Sequence, residues 1–463
     1  MTAAPTPLIH SLSRAVPNGA LFWLSIVAIL AMSLPNLFDP MVRYDDYPAL
    51  FAEPDGFWPK TLHEGRWLNY IWHLRGFETP AWLNYTVYQT LWAVFAAALA
   101  SCVAGQMSLS KFTISLALFV LVSPSALLIS LWFNTLLPGL ALVALFAVLA
   151  CITSQKTLLF LLPIFVVLTF MAYTTYPLLL LAVCLMQQQR RSIPKLIGLL
   201  ALFTLSFIVA ILATYTLNLL VHDVFGVPLA EWREATPAKD WQGLLANMPK
   251  LWSTFSTFAH TTSFEFKPAI YFHLLLFSGS LTLLLRFATL EALYLLAGLI
   301  TGLTLMVAQI LKLGVEVPVR TFIFIWIFYG IVVVRAAEIA TQKHAFAGRM
   351  AFNAVFLIIA SYSLQSYMQA RTYQDWQQET RELALHVADF SKPVTYSGDP
   401  MNSLAGVKAG VQSNTGFEFR MQQLGIVGVV QHSGKAVEKP TGSSSGFYQS
   451  IHETDGQAII VFE

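Results

Sequence analysis

Asp45 and Asp46 are neighbouring carboxylates in the segment Phe38-Asp39-Pro40-Met41-Val42-Arg43-Tyr44-Asp45-Asp46-Tyr47. Two like charges this close repel, and partial burial raises the pKa of at least one of them. Such a pair can accept a proton near neutral pH, or it can ligate a divalent cation. A solvated pair of loop acids is the plainer alternative.

Four further segments hold groups of the right type for a polar substrate. The stretch Phe57–Gly76 contains His63, Glu64, Arg66 and Trp67. Within it Leu68, Ile71 and Trp72 recur at i, i+3 and i+4, which predicts a helix lying in the plane of the lipid headgroups. Trp58, Trp67 and Trp72 are interface aromatics, and Lys60, Arg66 and Arg75 would face lipid phosphates. Arg320 ends the turn Val315-Glu316-Val317-Pro318-Val319-Arg320. An arginine there can fork onto phosphate oxygens, or it can snorkel from a helix end. Tyr173 and Tyr176 sit in a turn closed by Pro177. They fit an interfacial aromatic belt, or they could contact sugar hydroxyls. Asn134, in Trp132-Phe133-Asn134-Thr135, is polar at the same depth. His222, Asp223, His260, Glu265 and Lys267 are scattered without zinc-binding spacing.

The elements that position these groups follow from composition. The chain has 463 residues, 56% hydrophobic and 11% charged, with a mean hydropathy of +0.62. Soluble domains carry about 25% charge. A cytosolic enzyme, a nucleic-acid binder and a disordered chain are excluded. Apolar runs of membrane-spanning length predict about eleven helices, at 20–38, 83–105, 112–130, 135–153, 157–173, 175–187, 196–220, 268–285, 288–310, 320–335 and 350–367. The first run is longer than a signal-peptide core and lacks a cleavage pattern, so it reads as a retained anchor. Cys102, Cys151 and Cys184 lie in spans or at their ends, with neither disulfide nor metal-binding spacing.

Charge assigns the sides. One set of turns holds Arg14, Lys111, Lys156, Arg190, Arg191, Lys195, Arg286, Arg335, Lys343 and Arg349, with only Glu291 and Glu338 as nearby acids. The positive-inside rule makes this set cytoplasmic. Loops 39–82 and 221–267 then lie outside, together with the tail. The expected fold is a polytopic α-helical membrane domain, 1–367, followed by a small extracytoplasmic mixed α/β domain, 368–463. In that domain the pattern predicts a helix over 370–388 and strands at Val394–Tyr396, Gly425–Val430, Phe447–Ile451 and Ala458–Phe462. It also predicts a Ser/Gly loop at Gly442–Gly446 and a hairpin turn at Asp455-Gly456. The central thirds of the spans hold almost no ionisable residues, which favours surface chemistry over a transporter or a lipid flippase.

The first span, the acid pair Asp45-Asp46 beyond it, Gly65-Arg66-Trp67, the aromatic turn Tyr173–Pro177 and Pro318-Val319-Arg320 together resemble the GtrII-type O-antigen glucosyltransferases. These belong to the GT-C superfamily of transferases that use polyprenyl-phosphate sugars. The resemblance implies a bacterial inner-membrane enzyme with its C-terminal domain in the periplasm. The donor would be a sugar, glucose in that group, on undecaprenyl phosphate. The acceptor would be a hydroxyl of O-antigen or another lipid-linked polymer. Asp45 or Asp46 would act as base, and Arg66 or Arg320 would steady the leaving phosphate. His63, Glu64, Trp67, Asn134, Tyr173 and Tyr176 would contact substrate. No resident cofactor is implied beyond a divalent cation that the acid pair could hold, and no nucleic acid is implied as a partner. Lipid A, a protein or a wall polymer are the other acceptors open to the superfamily.

Overall fold

The computed structural model describes residues 19–104, 109–187, 191–388, 393–431, 447–448, 450–453 and 458–462. Its helices are α1 (Gly19–Ser33), α2 (Tyr47–Leu50), α3 (Pro54–Glu64), α4 (Trp67–His73), α5 (Ala81–Ala104), α6 (Lys111–Leu121), α7 (Pro124–Ile129), α8 (Phe133–Ile152), α9 (Gln155–Phe170) and α10 (Tyr176–Gln187). They continue with α11 (Ile193–His222), α12 (Trp241–Ala246), α13 (Met248–Thr262), α14 (Lys267–Phe287), α15 (Thr289–Leu313), α16 (Ile323–Lys343), α17 (Ala345–Arg371), α18 (Gln374–Val387), α19 (Leu404–Ala409) and α20 (Asn414–Gln423). Among the described residues eight helical segments are long and apolar enough to cross a membrane, and α6, α9 and α10 are shorter apolar helices beside them. The chain is a polytopic helical membrane protein.

The breaks in the apolar pattern have local causes. Expected run 112–130 is divided because Pro124 forces Ser123 into an extended conformation, and the Ser123 hydroxyl then caps the Ala126 N–H at 3.3 Å. The short run at 175–187 becomes α10, whose residues Tyr176–Met186 are all buried. It packs against α5, α8, α9, α15 and α16. A helix enclosed by protein need not match the bilayer thickness, because its neighbours shield its ends from lipid. Gly139 of α8 lies so near the 171–175 turn between α9 and α10 that an added Cβ would be 2.4 Å from the Ala172 Cβ.

The predicted interfacial helix is two helices. Gly65 takes φ +68°, its N–H bonds the Thr61 carbonyl, and the Arg66 N–H bonds the Lys60 carbonyl. This left-handed closure ends α3, and glycine adopts it without a Cβ clash. In α4 and its C-terminal cap, Ile71 and Leu74 are exposed while Trp67, Asn69 and His73 turn inward.

Loops 36–80 and 223–266 and the C-terminal residues meet at one end of the bundle. At the other end Arg335 binds Glu291 (Nε to Oε1, 2.7 Å) and Glu338, and Arg191 joins at 3.4 Å. Arg14 and Arg190 of the basic set lie outside the described residues. The cysteine reading missed one proximity: Cys102 Sγ of α5 and Cys151 Sγ of α8 are 3.7 Å apart, two free thiols sharing a hydrogen bond. His273 of α14 bridges Tyr329 (2.7 Å) and Tyr362 (2.8 Å), joining three helices through one satisfied imidazole.

After α18 comes a four-stranded sheet, β1 (Val394–Ser397), β2 (Val430–Gln431), β3 (Ser450–Glu453) and β4 (Ala458–Val461), in the order β2-β1-β4-β3. β1 is parallel to β2 and β4, with Thr395 opposite Val430 and Ile459, and β3 pairs antiparallel with β4. Of the predicted strand at Gly425–Val430 only Val430 lies in a strand, at the start of β2. The Gly442–Gly446 loop and the Asp455-Gly456 turn lie outside the described residues. Tyr396, Phe417, Phe447, Phe462 and Trp376 form the aromatic core of this part. A Gly139→Val substitution overpacks the contact between α8 and the 171–175 turn. It should cost about 1–3 kcal/mol, read as a lower thermal unfolding midpoint of the purified protein.

Candidate functional site

The two adjacent aspartates are built for different tasks. Backbone from Tyr44 to Asp46 forms one 3-10 turn, and their carboxylates diverge from it. Asp46 is fully buried. Its Oδ2 accepts the Asn134 N–H (3.0 Å) and side-chain Nδ2 (2.9 Å), and its Oδ1 accepts the Thr135 N–H (2.7 Å). Asn134 and Thr135 open α8, so Asp46 satisfies otherwise unpaired donors at the positive end of that helix. Burial pushes its pKa up to about 6 against the opposing pull of these hydrogen bonds.

Asp45 faces the other way and keeps a quarter of its side chain exposed. Lys60 Nζ of α3 donates to Oδ2 at 2.9 Å, and the Trp132 indole N–H donates to Oδ1 at 2.6 Å. Burial works to raise the Asp45 pKa, but the charge and hydrogen bond of Lys60, with Trp132, hold it below the ordinary value. The carboxylates therefore do not converge on one ion, as the cation reading required. Among the described residues no group of three or more His, Cys, Asp or Glu side chains converges as a metal site.

Trp132 connects the acid to the cations. Its edge donates to Asp45, its ring face carries the Arg320 guanidinium at 4.0 Å, and Arg43 lies 5.8 Å from the ring centre. Neither arginine has a carboxylate within ion-pair distance among the described residues. Glu64 pairs with Arg66 at 2.6 Å and is 3.7 Å from Arg233, which the second loop supplies. Arg66 also lies over the Tyr173 ring at 5.6 Å, and the Tyr173 hydroxyl is 3.4 Å from that of Thr321, next to Arg320. Burial works to raise Glu64, yet Arg66, Lys60 and Arg233 hold its pKa below normal. Five cations, Arg43, Lys60, Arg66, Arg233 and Arg320, thus surround two exposed-side carboxylates, Asp45 and Glu64. The surplus is positive and suits an anionic group such as a phosphate.

The sequence-predicted residues divide accordingly. Asp45, Glu64, Arg66, Tyr173 and Arg320 come together. His63 bonds the Pro228 carbonyl at 2.9 Å at the edge of the second loop. Trp67 is buried against Asn218, its indole N–H donating at 2.8 Å. Asn134 is buried between Asp46 and Asn84. Tyr176 is buried, 3.4 Å from the Tyr88 hydroxyl, and lines a recess within the bundle with Tyr85, Gln89 and Trp92. Trp67, Asn134 and Tyr176 therefore pack the scaffold rather than face the Asp45 cluster, a correction to their expected role. The sequence reading left Arg43, Trp132 and Arg233 out of the site and gave Lys60 to lipid phosphates rather than to Asp45. Arg43 stood two residues from the acid pair and gave a signal; Arg233 gave none, because a remote loop delivers it.

Asp46→Asn places an amide N–H against donor groups and strands part of the α8 cap. Leaving such a buried group unsatisfied costs about 1–3 kcal/mol, so the unfolding midpoint should fall, while Asp45→Asn should leave it near wild type. Thermal unfolding of the two variants side by side checks this. No protein-family model matches the chain, and no curated protein is significantly similar to it.

Proposed function

We propose that the protein is a membrane glycosyltransferase of GT-C type, resembling the GtrII group, which moves a sugar, glucose by that resemblance, from polyprenyl phosphate to a hydroxyl of O-antigen or a related polymer. The carrying observation is Trp132, which holds the Asp45 carboxylate on its edge and the Arg320 guanidinium on its face. A base and an uncompensated cation, held by one rigid ring, match the two ends of a glycosyl transfer.

In this reading Asp45 takes the proton of the acceptor hydroxyl. The acceptor oxygen forms the new bond to the anomeric carbon, and the bond from that carbon to the phosphate oxygen breaks. Polyprenyl phosphate departs with the electron pair, and the anomeric centre inverts. Positive charge on the ring at the transition state is favoured by Asp45 and Glu64. Negative charge on the phosphate is favoured by Arg320 and Arg43, with Arg66 near. A carboxylate held below its ordinary pKa is ionised and ready at neutral pH. Trp132 and Lys60 orient it, and an incoming hydroxyl competes with Lys60 for its oxygens. The gathering of these charges at one end of the bundle supports surface chemistry. Eleven crossings, an internal N-terminus and an external C-terminal domain in a bacterial inner membrane complete the proposal.

Membranes supplied with labelled polyprenyl-phosphate glucose and lipopolysaccharide should transfer the label. Asp45→Asn should lower the rate by about 10²–10⁴-fold, and Arg320→Ala by about 10²–10³-fold. Full activity in Asp45→Asn would remove the base assignment. The rate should hold through neutral pH and fall only as Asp45 protonates, on the acid side of the ordinary aspartate range, because Lys60 and Trp132 hold it down. An acid limb near pH 6 would instead point to Asp46. Reporter fusions after residues 349 and 370 should report opposite sides of the membrane; the same side would overturn the topology.

A further inference from the structure

We infer that Arg420, in the C-terminal domain, is a positioning residue that sets the place of Asp45 by holding the acid loop through Asp39. The inference rests on the proposed transfer reaction and gives the C-terminal domain a part in it.

Arg420 is 3% exposed, yet all five of its N–H donors are engaged. Nη1 and Nη2 fork onto the two oxygens of Asp39 at 2.7 and 2.6 Å. Nη1 also reaches Gln423 Oε1 (3.1 Å), Nη2 the Gln377 carbonyl (3.3 Å) and Nε the Thr380 hydroxyl (3.1 Å). Burial works to raise the Asp39 pKa, but Arg420 and then Arg381 hold it below normal. A saturated, buried guanidinium gives its carboxylate little choice of position.

The hold continues along the loop. Asn36 Oδ1 accepts both the Met41 N–H (2.8 Å) and Gln377 Nε2 (2.7 Å), and Gln377 also bonds the Asp39 carbonyl. Arg43 bonds the Gly410 carbonyl. The Tyr47 ring packs on Phe419 at 5.4 Å, and its hydroxyl reaches Gln423 at 3.4 Å. The C-terminal domain therefore grips residues 39, 43 and 47, and Asp45 lies between the second and third grips. On the bundle side Asp46 is fixed by three bonds to the start of α8, and Asp45 itself is met by the single indole N–H of Trp132. With the C-terminal grip loosened, the turn would pivot about Asp46, and Asp45 would leave the Lys60–Trp132 cradle.

The test uses the full chain in lipid nanodiscs, with Cys102, Cys151 and Cys184 changed to Ser and a nitroxide on a cysteine replacing Tyr44. Arg420→Lys keeps the charge but has three donors and no fork. It should raise nitroxide mobility and lower kcat for label transfer at least tenfold. The KM for polyprenyl-phosphate glucose should stay within twofold. Asp39→Asn leaves Arg420 the neutral acceptors of Thr380, Gln377 and Gln423, and carries the same test if Arg420→Lys loses its cooperative unfolding transition. A folded variant with unchanged nitroxide mobility, or a mobile loop with unchanged kcat, would overturn the inference. If the unaltered chain transfers no label, the proposed function fails, and the nitroxide alone still judges whether Arg420 holds the loop.

Discussion

Asp46 accepts three N–H groups from the first turn of α8, in a place water does not reach. Helix starts leave their first N–H groups unpaired, and α8 meets that need with a carboxylate from a remote segment. The same bonds fix the loop that carries Asp45 onto the membrane bundle. Because successive residues of the turn point in different directions, burying Asp46 leaves Asp45 facing the cations. The capping bond and the candidate chemistry are two results of one backbone turn.

Around that anchor, electrostatics are divided between closed and open pairs. Asp39 with Arg420, and Glu291 with Arg335, are multiply hydrogen-bonded, and one partner of each, Arg420 and Glu291, is nearly enclosed. Breaking such a buried pair from one side costs about 3–5 kcal/mol, so these pairs specify how segments meet. Asp45 with Lys60 is partly open, and Arg320 rests on an indole rather than on an acid. Partly exposed charges with incomplete partners can exchange them for a substrate, whereas saturated ones cannot. Arg420 and Arg320 illustrate the two regimes on either side of the same loop.

Much of the fold was legible in the chain. Apolar runs located the bundle helices because each must shield its own backbone in lipid, which demands length and hydrophobicity together. The tail showed its β1 and β4 because Val394–Tyr396 and Ala458–Phe462 are short apolar runs bounded by polar residues. Asp45, Asp46, Arg66 and Arg320 stood out because charge is scarce in this composition. The two-helix break at Gly65 was not read, since a single glycine within a helical pattern does not reveal its φ. Trp67, Asn134 and Tyr176 carried the right chemistry at the right depth, but side-chain direction placed them in the packing.

The sequence by itself determined that this is a multi-helix membrane protein with a polar tail, and that its few charges cluster in a handful of turns. Those are local properties, set by hydropathy and composition along the chain. Only the tertiary structure decided that Asp46 caps α8 while Asp45 stays open, that Trp132 joins Asp45 to Arg320, and that Arg420 closes on Asp39 across a separation of 381 residues. Such pairings depend on which faces the helices bury and on how distant segments fold back together, and spacing along a chain does not encode either in a form that can be read residue by residue.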